Sequence, residues 1–249
     1  MRAALAAWLP RIVRRTNRGS VPIGNYATTP GTVVIRPRRE THRRGDSPAF
    51  ARLAPMSGRV KSGNRQMDDW NRHLTTRTGF RLHVRPARPA DAGTVAEFFT
   101  HVTREDLRFR FLAGLTVVGD SQIAALTQVD HRQTEDFLAF TEDGSTMIAT
   151  AMLACDAAMA RGEVAIAIHK DFKNKGLGWT LLDHIARYAE AKGIKTLQSI
   201  ESRDNHTAIA VERDMGFSVV SDPGDPSTVI VTRNLTSAAG PDQVIPSWA

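Results

Sequence analysis

The feature that most constrains this 249-residue chain is a strand-like apolar run that breaks into a basic glycine loop and resumes as an amphipathic helix. Glu163-Val164-Ala165-Ile166-Ala167-Ile168 leads into Lys173-Asn174-Lys175-Gly176-Leu177-Gly178. Beyond the loop Leu177, Leu181, Ile185 and Ala189 fall on one stripe with Leu182 beside them, the period of a helix with one buried face. Gly193, just after Lys192, stops that helix. A strand, a tight turn and a half-buried helix need a sheet to pack on, which places the chain among α/β folds. The turn also suits a ligand. Gly176 and Gly178 allow close approach to the backbone. The first amides of the helix lack intrahelical partners and carry the positive end of its dipole. With Lys173 and Lys175 alongside, the loop reads as a seat for a diphosphate. It is neither a P-loop, having no Gly-Lys-Ser/Thr, nor a full Rossmann fingerprint. A plain strand-to-helix turn uses the same glycines.

The flanks fill in the sheet. Arg81-Leu82-His83-Val84-Arg85 alternates and ends at Pro86, as an edge strand does. Asp91 is positioned to cap a helix through Val95, Phe98, Phe99 and Val102. Short helices follow over 104–112 and 121–128, then strands over 136–141, 146–155 and 164–169. The turns between those strands are Glu142-Asp143-Gly144-Ser145, with its Asp-Gly signal, and Met159-Ala160-Arg161-Gly162. Downstream come a strand over 196–200, a helix over 205–215 ending at Gly216, and closing strands over 217–221 and 228–234. Residues 80–235 thus form one mixed α/β sheet with helices packed on it.

Charge separates that domain from the rest. The whole chain is +7, yet residues 1–75 hold 15 Lys+Arg against 4 Asp+Glu, and the remainder holds 18 against 22. The folded part is therefore mildly acidic and gives no reason to expect specific nucleic-acid binding. Residues 1–75 show clustered Arg, Pro, Gly and Ser without apolar periodicity, the composition of a basic disordered arm, and 236–249 reads as a disordered tail. The arm has no acidic residue before Glu40, which resembles an organellar transit peptide. Disorder, or a true start at Met67, is the preferred reading. No stretch approaches the ~20 apolar residues of a membrane span. Cys155 is the single cysteine, which excludes an intrachain disulfide and points to a reducing, cytoplasmic setting. The histidines lack the spacing of a metal site, so no metal is expected.

The run from Glu163 to Gly178 resembles the acetyl-CoA motif of the GNAT superfamily of N-acetyltransferases, with Lys173 where Gln or Arg is usual. Asn205-His206-Thr207-Ala208 and Met215-Gly216-Phe217 resemble that superfamily's second motif at its usual spacing. Upstream, Val84-Arg85-Pro86-Ala87-Arg88-Pro89-Ala90-Asp91-Ala92, Arg108-Phe109-Arg110-Phe111 and Leu126-Thr127-Gln128-Val129-Asp130-His131 resemble the GNAT domain of bacterial protein-lysine acetyltransferases. The resemblance covers about 150 residues. It implies a mixed, mostly antiparallel sheet flanked by helices and splayed between two strands. In that gap acetyl-CoA would lie as co-substrate along Ile166, Ala167 and Ile168, with its diphosphate on Lys173, Lys175, Gly176, Leu177, Gly178 and Trp179. Asn205 would face it, although the same asparagine suits a helix N-cap.

For chemistry, the resemblance makes Glu163 the general base. An acceptor amine with a pKa near ~10 is mostly ammonium at neutral pH and must lose a proton before it attacks a thioester. The acceptor is a protein lysine on this reading, with a small amine, or no turnover in an acetyl-CoA-binding regulatory module, as alternatives. Asp130 and His131 are candidates to line the acceptor groove. The tyrosine that many superfamily members carry seven residues after the motif asparagine, to protonate the departing thiolate, is Glu212 here. The chain's two tyrosines are Tyr26 and Tyr188, so solvent or Ser202 is left to supply that proton. His184 is expected on the solvated side of its helix, and Cys155 as a small packed side chain. Nothing in the sequence speaks to oligomeric state.

Overall fold

The computed structural model describes residues 70–235. Eight strands form one sheet: β1 (Arg72–Thr75), β2 (Arg81–Pro86), β3 (Thr134–Thr141), β4 (Met147–Cys155), β5 (Arg161–Ile168), β6 (Thr196–Ser202), β7 (Ser218–Ser221) and β8 (Thr228–Asn234). Their spatial order is β1-β2-β3-β4-β5-β6-β8-β7. Every neighbouring pair is antiparallel except β5 and β6. That one parallel pair follows from the chain path, because a strand returning beside its predecessor in the same direction needs a crossover, here the long helix α4 (Leu177–Ala191). The remaining helices are α1 (Ala92–Thr100), α2 (Arg104–Phe111), α3 (Asp120–Thr127) and α5 (His206–Asp214).

The sheet separates two apolar cores. On one side α1, α2 and α3 bury Val95, Phe98, Phe99, Leu107, Ile123 and Leu126 against Leu138, Met152 and Ala167. On the other, α4 and Ile209 of α5 bury their stripes against Phe137, Ala151, Leu153, Val164 and Leu197. The two-residue side-chain period of β5 sorts its residues the same way: Val164 packs with α4, and Ala167 with the α1–α3 group. β4 is buried along its whole length, as a central strand covered on both faces must be. The turn between β3 and β4 is held by Asp143, whose Oδ1 accepts from the Ser145 amide at 3.1 Å, beside Gly144 at φ +74°.

Three expectations need correction. Arg81–Pro86 is not an edge strand, because Arg72–Thr75 pairs along it in register. That four-residue strand falls in the stretch assigned to the basic arm; it is too short and too polar to show a pattern of its own. Asp91 occupies the N-cap position of α1 but does not cap it. Its carboxylate instead takes Arg85 through both oxygens, at 2.8 and 2.7 Å, and the Arg88 amide at 2.8 Å. Burial works to raise its pKa, but Arg85 and the Arg88 amide outweigh it and leave the carboxyl below its ordinary range.

The third is His184, which is 4% exposed rather than solvated. Trp70 and Phe137 meet its ring edge-on, with centroids at 5.5 and 4.7 Å. His184 lies mid-helix, and Trp70, which meets it, stands before the domain read from sequence. Burial, aided by the charge of Arg72, lowers the His184 pKa from 6.5 to about 4. A histidine kept neutral this way stabilises the fold fully above pH 6.5, and the contribution is lost as pH falls through 6.5 toward 4. The shift corresponds to on the order of 3 kcal/mol. His184→Phe should therefore lose less stability than the native protein between pH 7 and about pH 4.5 in urea denaturation. Equal acid sensitivity of the two would show that protonating His184 does not oppose folding.

Candidate active site

The ladder between β5 and β6 is three residues long. Arg161, Gly162 and Glu163 pair with Thr196, Leu197 and Gln198, and there it ends, although β5 runs on to Ile168 and β6 to Ser202. Each strand keeps its other neighbour along this stretch: β5 stays paired with β4 as far as Ile168, and β6 with β8 as far as Ser202. The gap is therefore held open by two supported strands. It points toward the glycine loop at one rim and toward Asn205 at the other.

At the first rim Gly176 is the residue before α4, at φ +79°. A Cβ there would meet Thr76 Cβ at 3.2 Å, whereas one on Gly178 would meet nothing nearer than Ile168 Cδ1 at 4.0 Å. The two glycines thus do different work: Gly176 makes the turn, and Gly178 leaves the helix start uncovered. The β1–β2 turn braces the loop from outside, with Thr78 Oγ1 donating to the Lys175 carbonyl at 2.8 Å. Arg77 of the same turn lays its guanidinium 3.8 Å from the Trp179 ring centroid, adding a positive charge beside the first turn of α4. Sequence reasoning missed Arg77 and Thr78, though the Thr-Gly pair at 78–79 is a hairpin signal. Lys173 Nζ is taken by Asp106 of α2, at 2.6 Å, while Lys175 Nζ sits over Phe80 and Phe172, 5.4 and 5.9 Å from their centroids.

Glu163 stands where the ladder ends and is 8% exposed. By alternation it shares a face with Ala167, on the α1–α3 side. There Arg110 of α2 brings a guanidinium whose charge acts on Asp136, Glu163 and Glu201 together. Its Nη2 also reaches Met152 Sδ at 3.6 Å. Asp136 is fully buried beneath it and accepts from Thr150 Oγ1 at 2.6 Å. Burial pushes Asp136 up to about 7 against the opposing pull of Thr150 and Arg110. The guanidinium pulls Asp136 and Glu201 toward the anion, against their burial.

Across the gap, Asn205 does two things. Its Oδ1 accepts from the Ala208 amide at 3.4 Å, the N-cap expected from sequence, and its Nδ2 donates to Glu201 Oε2 at 2.7 Å. Glu201 neighbours the buried Glu212 of α5, whose Oε1 takes the Ser199 hydroxyl. Burial raises the pKa of both glutamates, and the charge of Glu212 raises Glu201 further. Glu201 did not stand out in the sequence, and Glu212 did so only as the place of a missing tyrosine, because ionisable residues on a strand and a helix normally face water.

Other candidates are used elsewhere. Asp130 Oδ1 gathers the amides of Arg132, Gln133 and Thr134 at 2.8 to 3.0 Å, and His131 Nδ1 pairs with the buried Glu135 at 2.9 Å. Thr134 pairs with Ala154, so these residues lie at the closed end of the β5–β6 pair, where Glu163 also faces Ala154. Tyr188 donates its hydroxyl to Glu135 at 3.3 Å, and burial raises its pKa; it lies inside the α4 core. Tyr26 lies outside the described residues. Ser202 accepts the Asn205 amide on its carbonyl at 2.9 Å. Cys155 is buried and its thiol is pushed up to about 12, chiefly by burial. Among the described residues no group of three or more His, Cys, Asp or Glu is placed to hold a metal ion, and no helix is long and apolar enough to cross a membrane.

Comparison with known proteins agrees with this geometry. Residues 103–217 match the model of the acetyltransferase (GNAT) family. An acetyltransferase of Pseudomonas aeruginosa is 26% identical over 165 residues, 66% of this chain and 88% of its own length. The GNAT domain of Streptomyces lividans PAT superposes with a TM-score of 0.63 at 23% identity, covering 67% of this chain and 98% of that one. YncA of Salmonella typhimurium, solved with acetyl-CoA and described as a putative acetyltransferase, gives 0.51 at 19%, covering 66% and 99%.

The division of labour between the glycines is testable without a ligand. Gly176→Ala should cost about 1–2 kcal/mol, through its positive φ and the Thr76 contact. Gly178→Ala, inside a helix with space around it, should leave stability unchanged or raise it by up to ~1 kcal/mol. Denaturant midpoints of the two variants measure the contrast, and equal losses would refute it.

Proposed function

This chain carries an acetyltransferase domain of the GNAT family, and from that premise we propose that it transfers the acetyl group of acetyl-CoA to the ε-amine of a protein lysine, with Glu163 as general base. The observation that carries the reading is the β5–β6 gap, with a buried carboxylate at its apex and an uncapped glycine helix start at its rim. The pantetheine arm lies along Ile166, Ala167 and Ile168, with Asn205 on the facing rim. The diphosphate sits on the amides of Gly176, Leu177, Gly178 and Trp179. Lys175 faces it, with Lys173 and Arg77 as further positive charges. Backbone amides of β5 polarise the thioester carbonyl.

The acceptor approaches from the α1–α3 side, the face that Glu163 shares. Glu163, with the Arg110 guanidinium charge nearby, takes a proton from the ammonium, directly or through a water, and the neutral amine attacks the thioester carbon. The tetrahedral adduct collapses with cleavage of the carbon–sulfur bond. Asp130 and His131 are kept as acceptor contacts only for a large substrate, since they lie at the closed end of the strand pair.

Two measurements test this on the full chain. Calorimetry should find micromolar acetyl-CoA binding, unchanged in Glu163→Gln and weakened at least tenfold in Gly178→Leu. With lysine peptides as acceptors, Glu163→Gln should lower kcat by about 10²–10⁴-fold. Equal loss of binding in Glu163→Gln would remove the base assignment. Undiminished affinity in Gly178→Leu would remove the diphosphate seat.

A further inference from the structure

Among the described residues no tyrosine stands at the gap to give the departing thiolate its proton, yet the far rim holds two neighbouring carboxyl groups, Glu201 and Glu212. Ser199 donates its hydroxyl to Glu212 Oε1 behind the rim. Asn205 Nδ2 occupies Glu201 Oε2, which leaves Glu201 Oε1 to carry a proton. Glu212 is 5% exposed, and its Oε2 has no hydrogen-bond partner among the described residues. Two such carboxyls cannot both ionise cheaply.

Glu201 is in the right place. Continuing the β5–β6 register past Glu163↔Gln198 by three residues on each strand sets Glu201 across the gap from Ile166. Glu201 is half-buried, the outermost member of the three, while Ser199 and Glu212 lie deeper. We propose that Glu201 is the general acid that protonates the CoA thiolate as it leaves. This rests on the gap being the acetyl-CoA site. As the carbon–sulfur bond breaks, its electron pair goes to sulfur, and the Glu201 proton moves onto it to give the CoA thiol. An ammonium acceptor sheds two protons in becoming an amide. One replaces the proton given to sulfur and the other leaves to solvent, so Glu201 is reprotonated each cycle.

The groups facing Glu201 set its pH dependence. Glu212 from α5 and burial hold its proton on, whereas Arg110 from α2, Asn205 and Ser199 pull toward the anion. Glu163 and Asp136 act through the same guanidinium. A required acid loses activity as pH rises through its pKa, so the rate should decline on the alkaline side.

The experiment follows CoA release from acetyl-CoA by the full chain between about pH 6 and pH 9.5, with poly-lysine, spermidine and free amino acids as acceptors. Calorimetric acetyl-CoA affinity is measured in parallel. Glu201→Gln should lower kcat roughly tenfold to a hundredfold with the acetyl-CoA KM unchanged, and should abolish the alkaline decline. Glu212→Gln removes the charge that raises Glu201, so it should move the decline to lower pH. A purely structural role would leave the position of that limb alone. Native kcat in Glu201→Gln, or an alkaline limb fixed in place in both variants, overturns the assignment. If Glu212→Gln does not fold, Glu201→Gln decides alone. Native protein that binds acetyl-CoA but acetylates none of the acceptors overturns the transfer reaction and this role with it. Failure to bind acetyl-CoA at all sinks the donor site instead, and the calorimetry reports that separately.

Discussion

The early end of one ladder organises this domain. Two parallel strands that could pair along their length stop after three residues, and backbone hydrogen-bonding groups are left facing a gap. Unpaired backbone in a sheet interior is costly, which is why a fold tolerates it only where something else takes those groups up. Here the cost is localised, because β4 and β8 hold the outer sides of both strands. The opening is thus a fixed property of the sheet rather than of a loop. Sites built on strands hold their geometry better than sites built on connections.

The charges follow from the same opening. Arg110, Asp136, Glu163, Glu201 and Glu212 could not be accommodated in a continuous apolar sheet. Around the fork most have a partner. The charge of one guanidinium reaches three carboxyls from the α2 side. At the far rim Asn205 meets one oxygen of Glu201 and Ser199 one oxygen of Glu212. Asp136 has Thr150 on one oxygen, and burial raises its pKa. The far rim is held toward the neutral acid by burial and, for Glu201, by the charge of Glu212.

What could be read from the sequence was whatever had a period or a turn. The α4 stripe, the apolar β4 run, the Asp-Gly turn and the glycine loop all announced themselves, and the order of elements came out close to the observed one. Features that arise only when distant segments meet stayed hidden. Arg72–Thr75 has no pattern of its own and becomes a strand only because β2 offers it an edge. His184 looked solvated because its cover, Trp70, comes from more than a hundred residues earlier. Asp91 looked like a cap because the spacing was right, but Arg85 made a stronger offer for the same carboxylate.

Glu212 shows the limit most clearly. In sequence it registers as an absence, the place where a tyrosine is missing, and a glutamate on a helix is ordinarily a solvated residue. Packing reverses both judgements. Buried beside a serine and a second carboxyl, it is no longer an ordinary acid, since neither glutamate can shed its proton without a charge appearing next to the other. A phenol holds its proton at neutral pH through intrinsic weakness, near pKa ~10, whatever surrounds it. A carboxyl must be forced to do so by burial and a like-charged neighbour. That dependence ties the protonation of Glu201 to Glu212 on another element, where a phenol would depend on itself alone.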